Sequence, residues 1–83
     1  MRIQVDYRSE GTGDIYPERF FVGKRPLNIL EVIDRWIAPQ LSYFKVKAED
    51  NAEYILRWDT QDNSWEITLF RSPAALRSDL KMV

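Results

Sequence analysis

Apolar and polar residues alternate with a period of two along much of this chain, and no other feature constrains its fold as strongly. Residues 2–8 follow this pattern, and so do residues 42–48 and 53–59. Because successive side chains of a β-strand point to opposite faces, each segment is expected to be a strand with one dry and one wet face. The pattern therefore predicts an antiparallel all-β protein.

Turn residues separate the predicted strands. A turn at 49–52 joins the segments 42–48 and 53–59. A second turn at 60–64 leads into a further alternating segment at 65–70. The three segments together predict a three-stranded antiparallel meander. In the first half of the chain, a short strand at 18–22 ends at Gly23, where a tight connection is expected.

Residues 27–37 fit two structures. As a helix, they would begin near Pro26 and carry an apolar stripe that includes Leu30, Ile33 and Ile37. As a strand, they would have two apolar sides, with Leu30, Val32 and Trp36 on one and Leu27, Ile29 and Ile33 on the other. The β-branched residues and the short connection from the preceding strand favour the strand, in a sheet covered on both faces or coiled through a barrel.

These elements predict one domain over residues 1–83. The fold class is all-β, a small antiparallel SH3-like barrel or a strongly curled sheet of about five strands. The alternative is an α+β fold in which residues 27–37 are helical and cross the sheet.

The end of the chain predicts a separate short element. Residues 71–83 are expected to form a C-terminal tail or a short helix, with Ser72 as its N-cap and Pro73 at its first position. Leu76 and Leu80 are four residues apart, so such a helix would present both on one face.

The composition excludes much chemistry. The chain has neither Cys nor His, so it lacks disulfides, thiol nucleophiles and the commonest general base and zinc ligand. Glu31 and Asp34 would point to opposite faces of a strand, and no nucleophile accompanies them. The oxygen-rich run at 59–63 lacks the glycine and the final glutamate of a calcium loop. The sequence therefore predicts no enzymatic activity, no cofactor and no metal.

A basic and aromatic strand is the best candidate for a binding surface. Residues 19–47 contain six Lys or Arg and two Asp or Glu. Within them, Tyr43, Lys45 and Lys47 would share the outer face of one strand, and Arg35 would add a fourth polar contact. A ring beside cations is typical of surfaces that hold single-stranded nucleic acid. The acidic pI of about 5.3 argues against strong binding of that kind, and a solvated strand face explains the pattern better.

Several short motifs together resemble a family of small bacterial domains of unknown function. They cover about residues 16–70: Pro17 with Phe20, Gly23 to Arg25, Ile29 to Trp36, Tyr43 to Val46, Tyr54 to Arg57, and Trp65 with Ile67. Some relatives in that family are associated with Y-family polymerase-like proteins. The resemblance therefore implies a DNA-damage context, and it implies no catalytic residues.

The sequence favours a non-catalytic protein-interaction module, whose partner would be another protein. That partner would bind an exposed strand edge or the face formed by Leu76 and Leu80. The alternative is a weak single-stranded nucleic-acid binder in a DNA-repair context, acting through Arg35, Tyr43, Lys45 and Lys47. The sequence has no signal peptide and no apolar run long enough to span a membrane, so we expect a cytoplasmic protein without a membrane partner.

Overall fold

The computed structural model describes residues 2–11 and 14–71, which form six antiparallel β-strands. The strands are β1 (Arg2–Ser9), β2 (Ile15–Val22), β3 (Arg25–Ile37), β4 (Leu41–Ala48), β5 (Glu53–Asp59) and β6 (Ser64–Arg71). They close into a barrel in which each strand neighbours the next along the chain and β6 returns to β1. The all-β prediction and the small antiparallel barrel are confirmed.

Residues 27–37 are part of strand β3, so the strand interpretation is confirmed and the helical one is wrong. The described residues contain no helix. The predicted helix within residues 71–83 falls almost entirely outside them, since Arg71 is the last residue that the structure describes.

The barrel closes through two short seams. In the described part of the chain, β1 pairs with β6 through Arg2 and Ile3 alone. The pairing of β2 with β3 ends where Arg19 faces Asn28, although β3 continues as far as Ile37. The two strands therefore separate, and the second half of β3 pairs with β4 on one edge only.

The core follows from the alternation in β4 and β5. In β4, the buried residues Ser42, Phe44, Val46 and Ala48 alternate with half-buried ones. Together with Phe20 and Leu56, they form a dry interior in which these side chains are almost wholly inaccessible to water. Burying a large apolar side chain contributes about 1.5–3 kcal/mol, so this interior is the main source of stability in such a small domain.

Three aromatic rings pack together at the core, of which Trp65 is part. Trp58 and Trp65 stack with their centroids 5.6 Å apart and their planes at 16°. Tyr7 lies 6.1 Å from Trp58 and 5.9 Å from Trp65, measured between ring centroids. The Trp58 indole nitrogen donates a hydrogen bond to Asn63 Oδ1 at 3.0 Å, which satisfies its polar edge.

Strand β2 begins earlier than the sequence predicts. It starts at Ile15, and Pro17 is a buried residue within it and not the entry to the strand. The register between β1 and β2 shifts next to this proline, so that Tyr7 faces Pro17 and Glu18 has no direct partner. A proline is accepted there because a shifted register leaves one backbone amide outside the ladder.

Strand β3 breaks the expected alternation twice. Ile29 faces Ala48 and Val32 faces Val46, but the register shifts on the way and again after Val32. Ile29 and Val32 therefore both pack against the core, three residues apart. The sequence predicted that Leu30 and Val32 share one side of the strand and that Ile29 and Ile33 share the other. Both predictions are wrong because of these shifts.

Candidate interaction surface on the third and fourth strands

Four large apolar side chains of β3 lie exposed to solvent. Leu30 is 60% exposed, Ile33 40%, Trp36 48% and Ile37 65%. We call Leu30, Ile33 and Trp36 the β3 ridge. Ile37 faces the buried Ser42 in the register and therefore lies on the other side of the strand. The core is complete without them, because β3 already contributes Leu27, Ile29 and Val32 to it.

The two register shifts explain the exposure of the ridge. Leu30 and Ile33 are the extra residues of the shifts and have no partner in the register of β4. An extra residue of this kind leaves the regular pleat, so its side chain is released from the inward alternation. The ridge therefore follows from how β3 pairs with β4 and not from any loop.

Tyr43, Lys45 and Lys47 are brought together beside the ridge, on the outer face of β4. They alternate with the buried residues of β4, which fixes their side. Trp36 faces Tyr43, Asp34 faces Lys45 and Glu31 faces Lys47 in the register of the two strands. Directly opposed residues of an antiparallel pair share a face. Each lysine is therefore opposed by an acid on β3. The prediction that Glu31 and Asp34 point to opposite faces is wrong, because the second register shift lies between them.

Further ion pairs balance the charge on this face. Lys45 Nζ lies 3.7 Å from Glu53 Oε1 on β5. Next to it, Arg57 Nη2 lies 2.9 Å from Glu66 Oε2, and the hydrogen bond and negative charge of Glu66 raise the pKa of Arg57 above its ordinary value. The outer face of β3 to β6 thus carries alternating charges and no cationic stripe.

Arg35 lies apart from the other three predicted site residues. It faces the fully buried Phe44 in the register, so its side chain leaves β3 on the opposite side from Tyr43. Its guanidinium carbon lies 4.9 Å from the centroid of the Tyr16 ring on β2. Its Nη1 atom is buried and has no hydrogen-bond partner among the described residues. Arg35 is therefore part of the barrel wall near the point where β2 and β3 separate.

A groove lies at the other seam. It has a volume of about 650 Å³ and runs between β1 and the turn before β6, lined by Gln4, Tyr7, Asn63 and Trp65 among others. Arg2 and Asp62, which also line it, lie 3.6 Å apart and are both exposed. Within residues 2–11 and 14–71, no group of three or more carboxylates is placed to hold a metal ion.

The ridge was not predicted from the sequence, although a signal for it exists. Leu30, Ile33 and Trp36 recur every three residues, which suits neither a regular strand nor a strand covered on both faces. The same spacing made a helix plausible. In a segment that is a strand, this period indicates extra residues in the register.

Comparisons with known proteins found no match for this chain. No protein-family model matches it, and neither the curated proteins nor the solved structures include a significant match. The resemblance to small bacterial domains therefore stays a prediction. Across the described segments, none of the secondary structure is a helix that could cross a lipid bilayer.

Proposed function

We propose that this chain is a non-catalytic protein-interaction module and that its partner covers the β3 ridge. The observation that carries the proposal is the exposure of three large apolar side chains on one strand, those of Leu30, Ile33 and Trp36. Single exposed apolar residues are common on protein surfaces, but a run of them on one element is typical of a binding surface.

The composition of the ridge supports a protein partner. Trp36 is a large ring with about half of its surface accessible, and tryptophan is enriched at the centres of protein interfaces. The acids and lysines around it would form the polar rim that such interfaces have. Because these charges alternate in sign, the surface suits a protein of mixed charge better than a polyanion.

A second candidate function is weak binding of single-stranded nucleic acid, which one observation favours. Trp36 and Tyr43 oppose each other on the outer face, next to Lys45 and Lys47, and rings beside cations can stack bases and contact phosphates. Against it, Glu53 already pairs with Lys45 and acids on β3 oppose both lysines. Affinity for nucleic acid depends largely on cations that remain free for phosphates.

Site-specific photo-crosslinking in the native host tests the proposal. A photoreactive amino acid replaces Ile33 in one variant and Lys24, an exposed residue in the turn between β2 and β3, in a matched control. We expect a protein adduct at position 33 that is absent at position 24. A nuclease-sensitive adduct would support the second candidate, whereas no adduct at 33, or equal adducts at both positions, would contradict a protein-binding ridge.

A further inference from the structure

The charged residues around the β3 ridge form a self-complementary pattern, in which the acids of one copy can face the lysines of a second copy. We propose that the partner covering the ridge is a second copy of this chain, related by a two-fold axis that runs parallel to β3 and β4. This inference rests on the proposed function, since it names the occupant of the same surface.

The register of β3 and β4 divides the outer face into levels along the strands. At one level Glu31 opposes Lys47, at the next Asp34 opposes Lys45, and at the third Trp36 opposes Tyr43. Each level thus has one member on β3 and a complementary member on β4. The first two levels pair an acid with a base, and the third pairs two rings.

A two-fold axis between the strands and parallel to them preserves every level. The rotation places β3 of one copy over β4 of the other, so that Asp34 meets Lys45 of the second copy and Glu31 meets its Lys47. Trp36 meets Tyr43 in the same way. The interface is then isologous, with every contact made twice.

The alternative two-fold axis, which runs across the strands, places like charges together. It would lay β3 over β3 with the order of levels reversed. If it were centred on the middle level, Asp34 would meet Asp34 and Lys45 would meet Lys45, and such contacts are unfavourable. The charge pattern therefore selects one geometry for self-association, with Leu30 and Ile33 of both copies enclosed near its axis.

The size of this surface predicts the strength of the contact. The paired part of β3, residues 29–37, is about 30 Å long at about 3.3 Å per residue, and two strands are about 5 Å apart. Such a strip is smaller than the roughly 800 Å² per partner of a standard stable interface. We therefore expect a reversible dimer with a dissociation constant in the micromolar range.

Sedimentation velocity over about 1–500 µM protein tests the inference, a range that spans micromolar dissociation constants. The wild-type chain is expected to shift from monomer to dimer as the concentration rises. The variants Asp34→Lys and Lys45→Asp should each raise the dissociation constant at least tenfold, because one carries only cations at the middle level and the other only carboxylates. An equimolar mixture of the two should dimerise again, since each then supplies what the other lacks.

Matched controls separate folding from association. Asp62→Lys makes the same kind of charge change at the seam between β1 and β6, away from the ridge, and should leave dimerisation unchanged. Asp34 Oδ1 accepts a hydrogen bond from the Arg35 backbone amide, so circular dichroism and thermal unfolding must show that Asp34→Lys folds. If it does not, Glu31→Lys and Lys47→Glu form an equivalent pair at the next level.

The outcomes distinguish this inference from the proposed function. A wild-type chain that stays monomeric throughout, single variants that dimerise as well as wild type, or a mixture that stays monomeric would each overturn the two-fold arrangement. A monomer whose position 33 still crosslinks to a different protein would overturn the inference and leave the interaction module standing. A monomer with no adduct at position 33 would remove both.

Discussion

The guanidinium of Arg35 lies against the ring of Tyr16, 4.9 Å from its centroid, near the point where β2 and β3 cease to pair. The guanidinium of Arg8 contacts the same ring at 4.8 Å, so Tyr16 contacts two arginines. Arg8 is also held by ion pairs with Glu10 and Glu18, whereas the Arg35 guanidinium forms no ion pair with a carboxylate of the described residues. Arg35 therefore contributes mainly through its apolar stem and its contact with the ring.

Replacing Arg35 separates the role of its stem from that of its charge. Arg35→Met keeps the stem and removes the buried, unpartnered Nη1, so we expect the free energy of unfolding to stay within about 0.5 kcal/mol or to rise. Arg35→Ala removes the packing on Tyr16 and should lower it by about 1–2 kcal/mol. Urea unfolding followed by tryptophan fluorescence measures both. An equal loss in the two variants would mean that the charge matters more than the stem.

Trp36 should dominate quenching of the protein's fluorescence by acrylamide. It is half exposed, whereas Trp65 is buried and Trp58 stacks on it. We expect Trp36→Phe to remove most of the quenchable emission and to change stability by less than about 0.5 kcal/mol, since it lies on the surface. Quenching of the wild type should also fall as protein concentration rises, because the proposed dimer covers this ring. Quenching independent of Trp36 would place an accessible ring elsewhere.

The Tyr54 hydroxyl predicts a loss of stability at alkaline pH. Burial is the main cause that raises the pKa of Tyr54 far above its ordinary value, and the 2.6 Å hydrogen bond that it donates to Asp50 adds to this. Below about pH 10 the phenol is protonated in both folded and unfolded chains, so it causes no pH dependence. Above that pH the unfolded phenol ionises first, and the free energy of unfolding should fall by about 1.4 kcal/mol per pH unit.

Tyr54→Phe is the control for this pH effect. The variant cannot ionise at this position, so the difference in unfolding free energy between it and the wild type should shrink steadily above about pH 10. Near neutral pH the variant should be less stable by about 1–2 kcal/mol, because a hydrogen bond to a carboxylate is lost. Urea unfolding at several pH values measures both quantities. Parallel curves for the two proteins would exclude Tyr54 as the source.

Gly23 is expected to matter for its backbone conformation alone. Its φ of 63° lies in the left-handed region, and an added Cβ would meet no atom within 4 Å. Gly23→Ala should therefore lower the free energy of unfolding by about 1–2 kcal/mol through strain, and Gly23→Asn by less, because asparagine tolerates this region. Thermal unfolding of the two variants compares them. An alanine variant as stable as wild type would show that the turn relaxes to another conformation.

The second half of the fold could be predicted from the sequence because each strand there pairs with the next strand along the chain. The register of β4 with β5 runs without a shift from Leu41 opposite Asp59 to Lys47 opposite Glu53. In such a ladder the alternation of the sequence translates directly into buried and outer faces. The placement of Tyr43, Lys45 and Lys47 on one outer face follows from that alternation.

The candidate surface could not be predicted from the sequence, because it depends on the pairing between strands. The spacing of three residues between Leu30, Ile33 and Trp36 indicates extra residues only when the segment is known to be a strand, and that depends on what β4 places opposite β3. The register shifts turn Val32 toward the core, whereas a uniform alternation from Ile29 would place it on the outer face. Pro17 is a similar case, since its position within β2 depends on the register with β1.

The two extra residues of β3, Leu30 and Ile33, lie outside the core, so the outer surface at these positions can change without changing the core. On the proposed function, substitutions at positions 30 and 33 should change what the molecule binds and leave the residues of the core unchanged. A library randomised at these two codons should therefore yield mostly well-folded proteins that differ in self-recognition. That would make this small barrel a practical starting point for engineering new assemblies.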